Sequence, residues 1–215
     1  MSPELTFMLL QYAVLVFSLS VHEAAHALVA DRCGDPSARL LGRVTLNPLP
    51  HIDPIGTVLM PLVMMFSGIP FLFGWAKPVP FNPVNLGNIR RDPVLIAIAG
   101  PVSNLLLAVI TTIVLRVIVM VDPPESSLEW MTAPQYVIPM SLIIINLLLM
   151  LFNAIPVPPL DGHHVLHFFL PPSGQRILES IGPFGILIAI IAANTVLDTP
   201  LIFLKELVLS FVLGG

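Results

Sequence analysis

His22-Glu23-Ala24-Ala25-His26 sets two imidazoles four residues apart, with a carboxylate next to the first. Four residues of helix turn by about 400°, so both rings leave one face, roughly 6 Å apart along the axis, and can grip a single metal ion. Glu23 projects beside them, placed to take a proton from water activated by that ion. These five letters occur by chance in many helices, so their setting matters. Residues 5–30 form a long, largely apolar stretch without proline or glycine. Two histidines and a glutamate in such a segment are costly unless they face a cavity and have partners. The competing reading is a buried polar cluster that serves helix packing.

A tetrahedral zinc site with an open position for water needs a third protein ligand. The candidates are His51, Asp53, Asp161, His163, His164 and His167. Asp161 is favoured because it closes the run Asn153-Ala154-Ile155-Pro156-Val157-Pro158-Pro159-Leu160-Asp161-Gly162. Prolines stop the preceding helix and hold the chain extended, and Gly162 lets the backbone turn beside the carboxylate. The bland reading of the same residues is a helix-ending loop with an N-cap aspartate.

The elements that carry these residues read as membrane segments. Of 215 residues, 56% are hydrophobic and only 10% charged, with a mean hydropathy of +0.93. So few charges cannot clothe a soluble domain of this size, which leaves lipid as the solvent for much of the surface. A net charge of -4 without a basic run excludes nucleic acid as an expected partner. Cys33 is the only cysteine, which excludes an internal disulfide and a cysteine-rich zinc site. The first six residues hold Glu4 and no basic residue, and no small-residue cleavage site closes the apolar run, so the segment reads as retained.

Convincing spans are expected at 5–30, 94–121 and 136–152, with Arg116 snorkelling near the end of the second. Residues 54–73 are apolar but interrupted by Pro61, Gly68 and Pro70, which predicts a kinked or re-entrant segment. Residues 38–46 suit short extended segments at the membrane surface. Residues 74–92 read as an interfacial connection, and 177–213 as two short helices broken at Pro183, Asp198 and Pro200. The expected fold class is an all-α polytopic membrane protein. It has four to six transmembrane helices, a small extended or β segment and a re-entrant region near the cytoplasmic face. Six of the nine Lys and Arg residues lie between Arg32 and Arg91, while the loop 122–134 has none, which orients the basic region toward the cytoplasm.

Taken together, the two motifs resemble the site-2 protease family of intramembrane metalloproteases. The likeness runs from about residue 12 to residue 166. It includes Asn47, Pro48, Pro50, His51, Asp53, Pro54 and Gly56, then Gly74, Trp75, Lys77, Pro78 and Val79, then Gly100, Pro101 and Asn104. These segments look like the compact bacterial and archaeal branch, and no stretch reads as a PDZ or CBS domain. The resemblance implies one Zn2+ per chain on His22, His26 and Asp161, with Glu23 as the catalytic residue. It gives Asn153 the task of steadying substrate or the oxyanion. Asn104 either shares that task or packs helices, and Gly100 and Pro101 read as packing. His51, His163 and His164 are candidates to approach the site and hydrogen-bond a zinc ligand such as Asp161. The two adjacent histidines stand where many relatives carry small or basic residues, and they read as interfacial.

The organisation implied is a single intramembrane domain over 1–215, with a core at about 5–170 and C-terminal helices at 177–213. Its substrate would be a membrane-anchored protein or peptide, and an oligomer is compatible with the sequence. Its place would be the cell membrane, multi-pass, with the active site toward the cytoplasm. A substrate helix must unwind before cleavage, and extended segments at 38–46 or 75–81 would pair with it as an added strand. Two rivals are a zinc-binding membrane scaffold or regulator without hydrolysis, and a metal transporter. Glu23 has no purpose in the first, and the spans outside the two motifs carry too few acidic or histidine residues for the second.

Overall fold

The structure is a computed structural model that describes residues 3–67 and 74–214. The chain forms two compact units, Met1–Ile89 and Arg90–Gly215. Among the described residues the regular structure is helical, with no strand.

The first unit is built on α1 (Pro3–Arg32), a helix of 30 residues. At 1.5 Å per residue it is about 45 Å long, more than the hydrocarbon thickness of a bilayer. After Gly34 the chain makes a single helical turn, α2 (Ser37–Leu40), packed on α1. The extended segment expected over 38–46 is therefore not formed. Instead, Gly42 adopts φ +68°, a left-handed conformation that glycine takes without a steric penalty, and Arg43 N–H returns to Ala38 O at 2.9 Å. The turn reverses the chain and sends Arg43 into the interior, where it is 4% exposed.

A π-helical turn over Pro54–Leu59 leads into α3 (Met60–Phe66). Asp53 caps it by accepting from the N–H groups of Ile55 and Gly56, and Tyr12 of α1 donates to Thr57 O. The helical stretch Pro54–Phe66 is apolar and shorter than a membrane span. Gly68, Pro70 and the rest of that expected segment lie outside the described residues. From Gly74 onward the backbone is irregular and non-helical to Asn82.

The second unit holds α4 (Asp92–Val121), α5 (Ser127–Thr132), α6 (Pro134–Asn153), α7 (Gly162–Phe169), α8 (Pro172–Ile181), α9 (Gly185–Val196) and α10 (Asp198–Leu213). Helices α4 and α6 pack along their length, and α10 joins them around Ala108, Leu115, Tyr136, Ile143, Leu147 and Val212. Asn104 Nδ2 donates to Asn146 Oδ1 at 2.7 Å inside this contact, both residues fully buried. Lipid cannot satisfy amides, so the two meet across the helix pair. The outward side chains of α4 are apolar, Leu106, Ile110, Ile113 and Val117 among them, as a lipid-facing surface demands. Arg116 does not simply reach for headgroups. Its Nη1 donates to Val212 O at 2.7 Å and so caps the end of α10.

Helices α1, α4 and α6 are long and apolar enough to cross a membrane. A fourth span results if the bent pair α8 and α9 counts as one. That is the lower end of the expected four to six. The tail breaks at Gly182, beside the expected Pro183, and at Asp198 as expected, whereas Pro200 lies in the first turn of α10 and does not break it.

The end of the irregular segment in the first unit is fixed by the buried carboxylate of Asp35. Burial pushes this carboxyl up, but hydrogen bonds from the Asn85 amide, the Ser37 hydroxyl and the N–H groups of Asn82 and Ser37 outweigh it and bring it to about 2. A folded-state value below the unfolded 3.8 gives stabilisation that is complete above about pH 4 and drains as pH falls toward 2. Hydrogen exchange at the Asn82 and Ser37 amides, corrected for intrinsic rates, is expected to stay protected down to about pH 4 and to open below it. Asp35→Asn should flatten that dependence. Equal acid sensitivity in both proteins would contradict the assignment.

Candidate active site

Helix α1 buries polar residues in a run that its apolar composition would not suggest: Ser18, Ser20, His22, Glu23 and His26. One turn of helix brings His22 Nε2 and His26 Nε2 to 3.0 Å, with the rings nearly perpendicular and their centroids 4.6 Å apart. Two histidine nitrogens on one tetrahedral zinc, each at about 2.0–2.1 Å, would stand about 3.3 Å from each other. The pair therefore fits a shared metal ion without rearrangement of the backbone. Helix periodicity alone produces the convergence.

Glu23 lies on the neighbouring turn surface, 8% exposed. Its Oε2 accepts the N–H of Val79 at 3.1 Å, a partner 56 residues away in the irregular segment. That segment is held along its length. Trp75 N–H donates to Gly56 O, Lys77 N–H to His51 O, and Thr57 Oγ1 to Trp75 O. The Arg43 guanidinium donates to the carbonyls of Pro50, Lys77 and Pro78. Burial pushes Arg43 down from the usual arginine range, and the charge of Glu23 acts in the opposite sense.

His51 is 2% exposed, and its Nε2–H donates to Thr45 O at 2.9 Å while its own carbonyl accepts from Lys77. It braces the segment around the site. Asp53, the other candidate ligand in that stretch, is committed to its helix cap. Neither of the stretches expected to receive a substrate strand is a β-strand. Residues 37–40 form a helical turn and 41–46 turn and bend, while the donors at 75, 77 and 79 point to internal acceptors, and Pro78 and Pro80 have no N–H to offer.

In the second unit, α6 stops at Asn153 because Pro156, Pro158 and Pro159 cannot continue it. Ile155 and Leu160 bury on either side of the turn, against Ala189 and Leu197, and so fix the loop that presents Asp161. Asp161 occupies the N-cap position of α7, yet its side chain makes no capping hydrogen bond. The bland reading of this carboxylate as a cap is not what the structure shows. Asn153 Nδ2 donates to Leu149 O of its own helix, and Asn104 is engaged with Asn146. His163 Nδ1–H donates to Leu160 O, its ring lies 3.8 Å from that of His164, and His167 Nε2 meets Glu179 at 3.2 Å.

Relatives match over most of the chain. It is 37% identical over 185 residues to a Bacillus subtilis protein named "Putative zinc metalloprotease YwhC", covering 86% of this chain and 80% of the relative. It is 30% identical over 184 residues to "Putative zinc metalloprotease Rip2" of Mycolicibacterium smegmatis, covering 84% of this chain and 64% of the relative. The Mycobacterium tuberculosis protein of the same name is 29% identical over 174 residues. The chain belongs to the site-2 protease family of zinc metalloproteases. As a member of that family it is a hydrolase of protein substrates, and its span-length helices make it a membrane protein. No family model and no solved structure matches the chain.

Sequence reasoning about this site-2 protease missed Arg43 and Val79. In the sequence Arg43 is one of six basic residues between Arg32 and Arg91, and only its place after a left-handed Gly42 shows that it turns inward. Val79 acts through its backbone, which side-chain chemistry cannot reveal. Gly162, by contrast, was legible. A Cβ there would collide with the carbonyl oxygens of Ala154 and Ile155. Gly162→Ala should therefore destabilise the protein by about 1–3 kcal/mol, as overpacking against backbone does. A lowered midpoint of thermal unfolding in detergent checks this, and an unchanged midpoint would show that the turn can yield.

Proposed function

We propose that this protein is an intramembrane zinc endopeptidase that cleaves membrane-anchored proteins within or next to the bilayer. The observation that supports this most is the convergence of His22 and His26 at a buried level of a span-length helix, with the Glu23 carboxylate beside them. Asp161 is the proposed third ligand. Its carboxylate is not spent on capping α7, and one carboxylate with two imidazoles is a donor set suited to catalytic zinc.

Bound by His22, His26 and Asp161, zinc would supply the Lewis acidity that polarises the scissile carbonyl and acidifies water. Glu23 takes a proton from the attacking water as the new C–O bond forms. It returns that proton to the amide nitrogen as the C–N bond breaks, so no net charge is left on the protein. Val79 N–H holds the carboxylate in place for both transfers. Asn153 is assigned to the substrate or the developing oxyanion, which requires its amide to leave Leu149 O. A transmembrane substrate must unwind locally, because carbonyls bonded within a helix are shielded from attack. The cytoplasmic side is assigned to the site by the basic residues between Arg32 and Arg91, of which Arg32, Arg39, Lys77, Arg90 and Arg91 are exposed.

Two variants test this function. Glu23→Gln should keep its zinc and lose cleavage of a membrane-anchored reporter by roughly 100- to 10,000-fold, the usual range for a lost general base. Undiminished cleavage would remove Glu23 from the mechanism. Asp161→Ala should lose most of its zinc in metal analysis of the purified protein, and full occupancy would contradict the third ligand. Cleavage of the same peptide without its anchor at an equal rate would contradict the membrane-anchored substrate class.

A further inference from the structure

We propose that Arg43 is a positioning residue for the catalytic carboxylate, acting through the backbone segment that carries Val79. This rests on the reading of Glu23 as the general base. The chain of contacts lies within the first unit and is short. Arg43 Nη2 donates to Pro78 O at 2.9 Å and to Lys77 O, and Nη1 donates to Pro50 O. The next residue after Pro78 is Val79, whose N–H holds Glu23 Oε2. Two successive carbonyls gripped by one planar group fix the peptide planes just before that N–H, and so fix its direction.

A loop staple does not need such a residue. A guanidinium only 4% exposed, held by three neutral carbonyls, is expensive to bury unless a counter-charge is near. The carboxylate that acts on it is Glu23 itself. The same cation therefore shapes the segment and faces the charge which that segment aims. Arginine suits this task because its rigid fork presents several donors in one plane, which the single point charge of lysine does not. Pro78 and Pro80 stiffen the segment on both sides of Val79 but cannot donate, so Val79 N–H is the donor that the fork aligns.

The test uses the full chain purified in detergent, with a membrane-anchored reporter, and compares Arg43→Ala, Arg43→Lys, Val79→Pro and Glu23→Gln. Arg43→Ala should keep its zinc, lose roughly 10- to 100-fold in kcat, and change KM by no more than about threefold, with a lowered thermal midpoint from the three carbonyls it leaves unmet. Arg43→Lys should recover part of the loss. Added guanidinium ion should rescue Arg43→Ala and leave Glu23→Gln unaffected. Val79→Pro removes the donor while sparing Arg43, and it should lower kcat in the same way, which decides the matter if Arg43→Ala does not accumulate as folded protein.

A kcat within about twofold of wild type in either Arg43→Ala or Val79→Pro would overturn the inference, as would a loss confined to KM. Loss of zinc together with activity in Arg43→Ala would also overturn it, since that marks a structural staple. If Glu23→Gln is inactive while these variants cleave normally, only the positioning role fails. Full activity in Glu23→Gln would instead remove the proposed function beneath it.

Discussion

A carboxylate and two imidazoles inside an apolar helix impose the constraint from which the rest of the structure follows. Each is costly to remove from water, and lipid offers nothing in exchange. The protein meets that cost in two ways. The histidines face each other at the spacing a metal ion wants, and the glutamate is met by a backbone N–H brought from far along the chain. Hydrogen bonds with Arg43, His51, Gly56 and Thr57 hold the segment that supplies that N–H.

The need for that N–H accounts for irregular backbone in the first unit of a membrane protein. A helix uses its own N–H groups and has none to spare for a neighbour's carboxylate. Only a non-helical segment can present Val79 N–H sideways, and its other polar groups must then be satisfied individually. The answers are Gly56 O, His51 O, Thr57 Oγ1 and the Arg43 guanidinium, with Asp35 anchoring the far end through Asn82 and Asn85. His51 belongs to this framework as a brace, since it holds Thr45 O with its ring and Lys77 N–H with its carbonyl.

The second unit solves the same problem with helices. Asn104 and Asn146 satisfy each other where α4 and α6 touch, and Arg116 terminates α10. The loop after α6 is shaped by what cannot happen there. Prolines forbid further helix, apolar side chains at 155 and 160 bury, and Gly162 accommodates the carbonyls packed against it. Asp161 is left at a helix start with a side chain not used as a cap.

The sequence by itself determined the helices, the membrane setting and the paired histidines. All three depend on local periodicity: 3.6 residues per turn, span-length apolar runs, and a four-residue spacing that turns two rings to one face. It also predicted the turn at Asp161 and Gly162, because prolines and glycine mark a turn wherever they fall. It misjudged residues 38–46, where surface-like alternation gives way to a helical turn closed by Gly42. Only the tertiary structure decided that Arg43 turns inward, that Asn104 meets Asn146, and that Val79 holds Glu23. Those outcomes depend on hydrogen bonds between residues 35 to 56 positions apart, and on backbone groups that every residue carries alike. No side-chain pattern encodes them, because the choice is made by which buried polar groups must find each other once water is excluded.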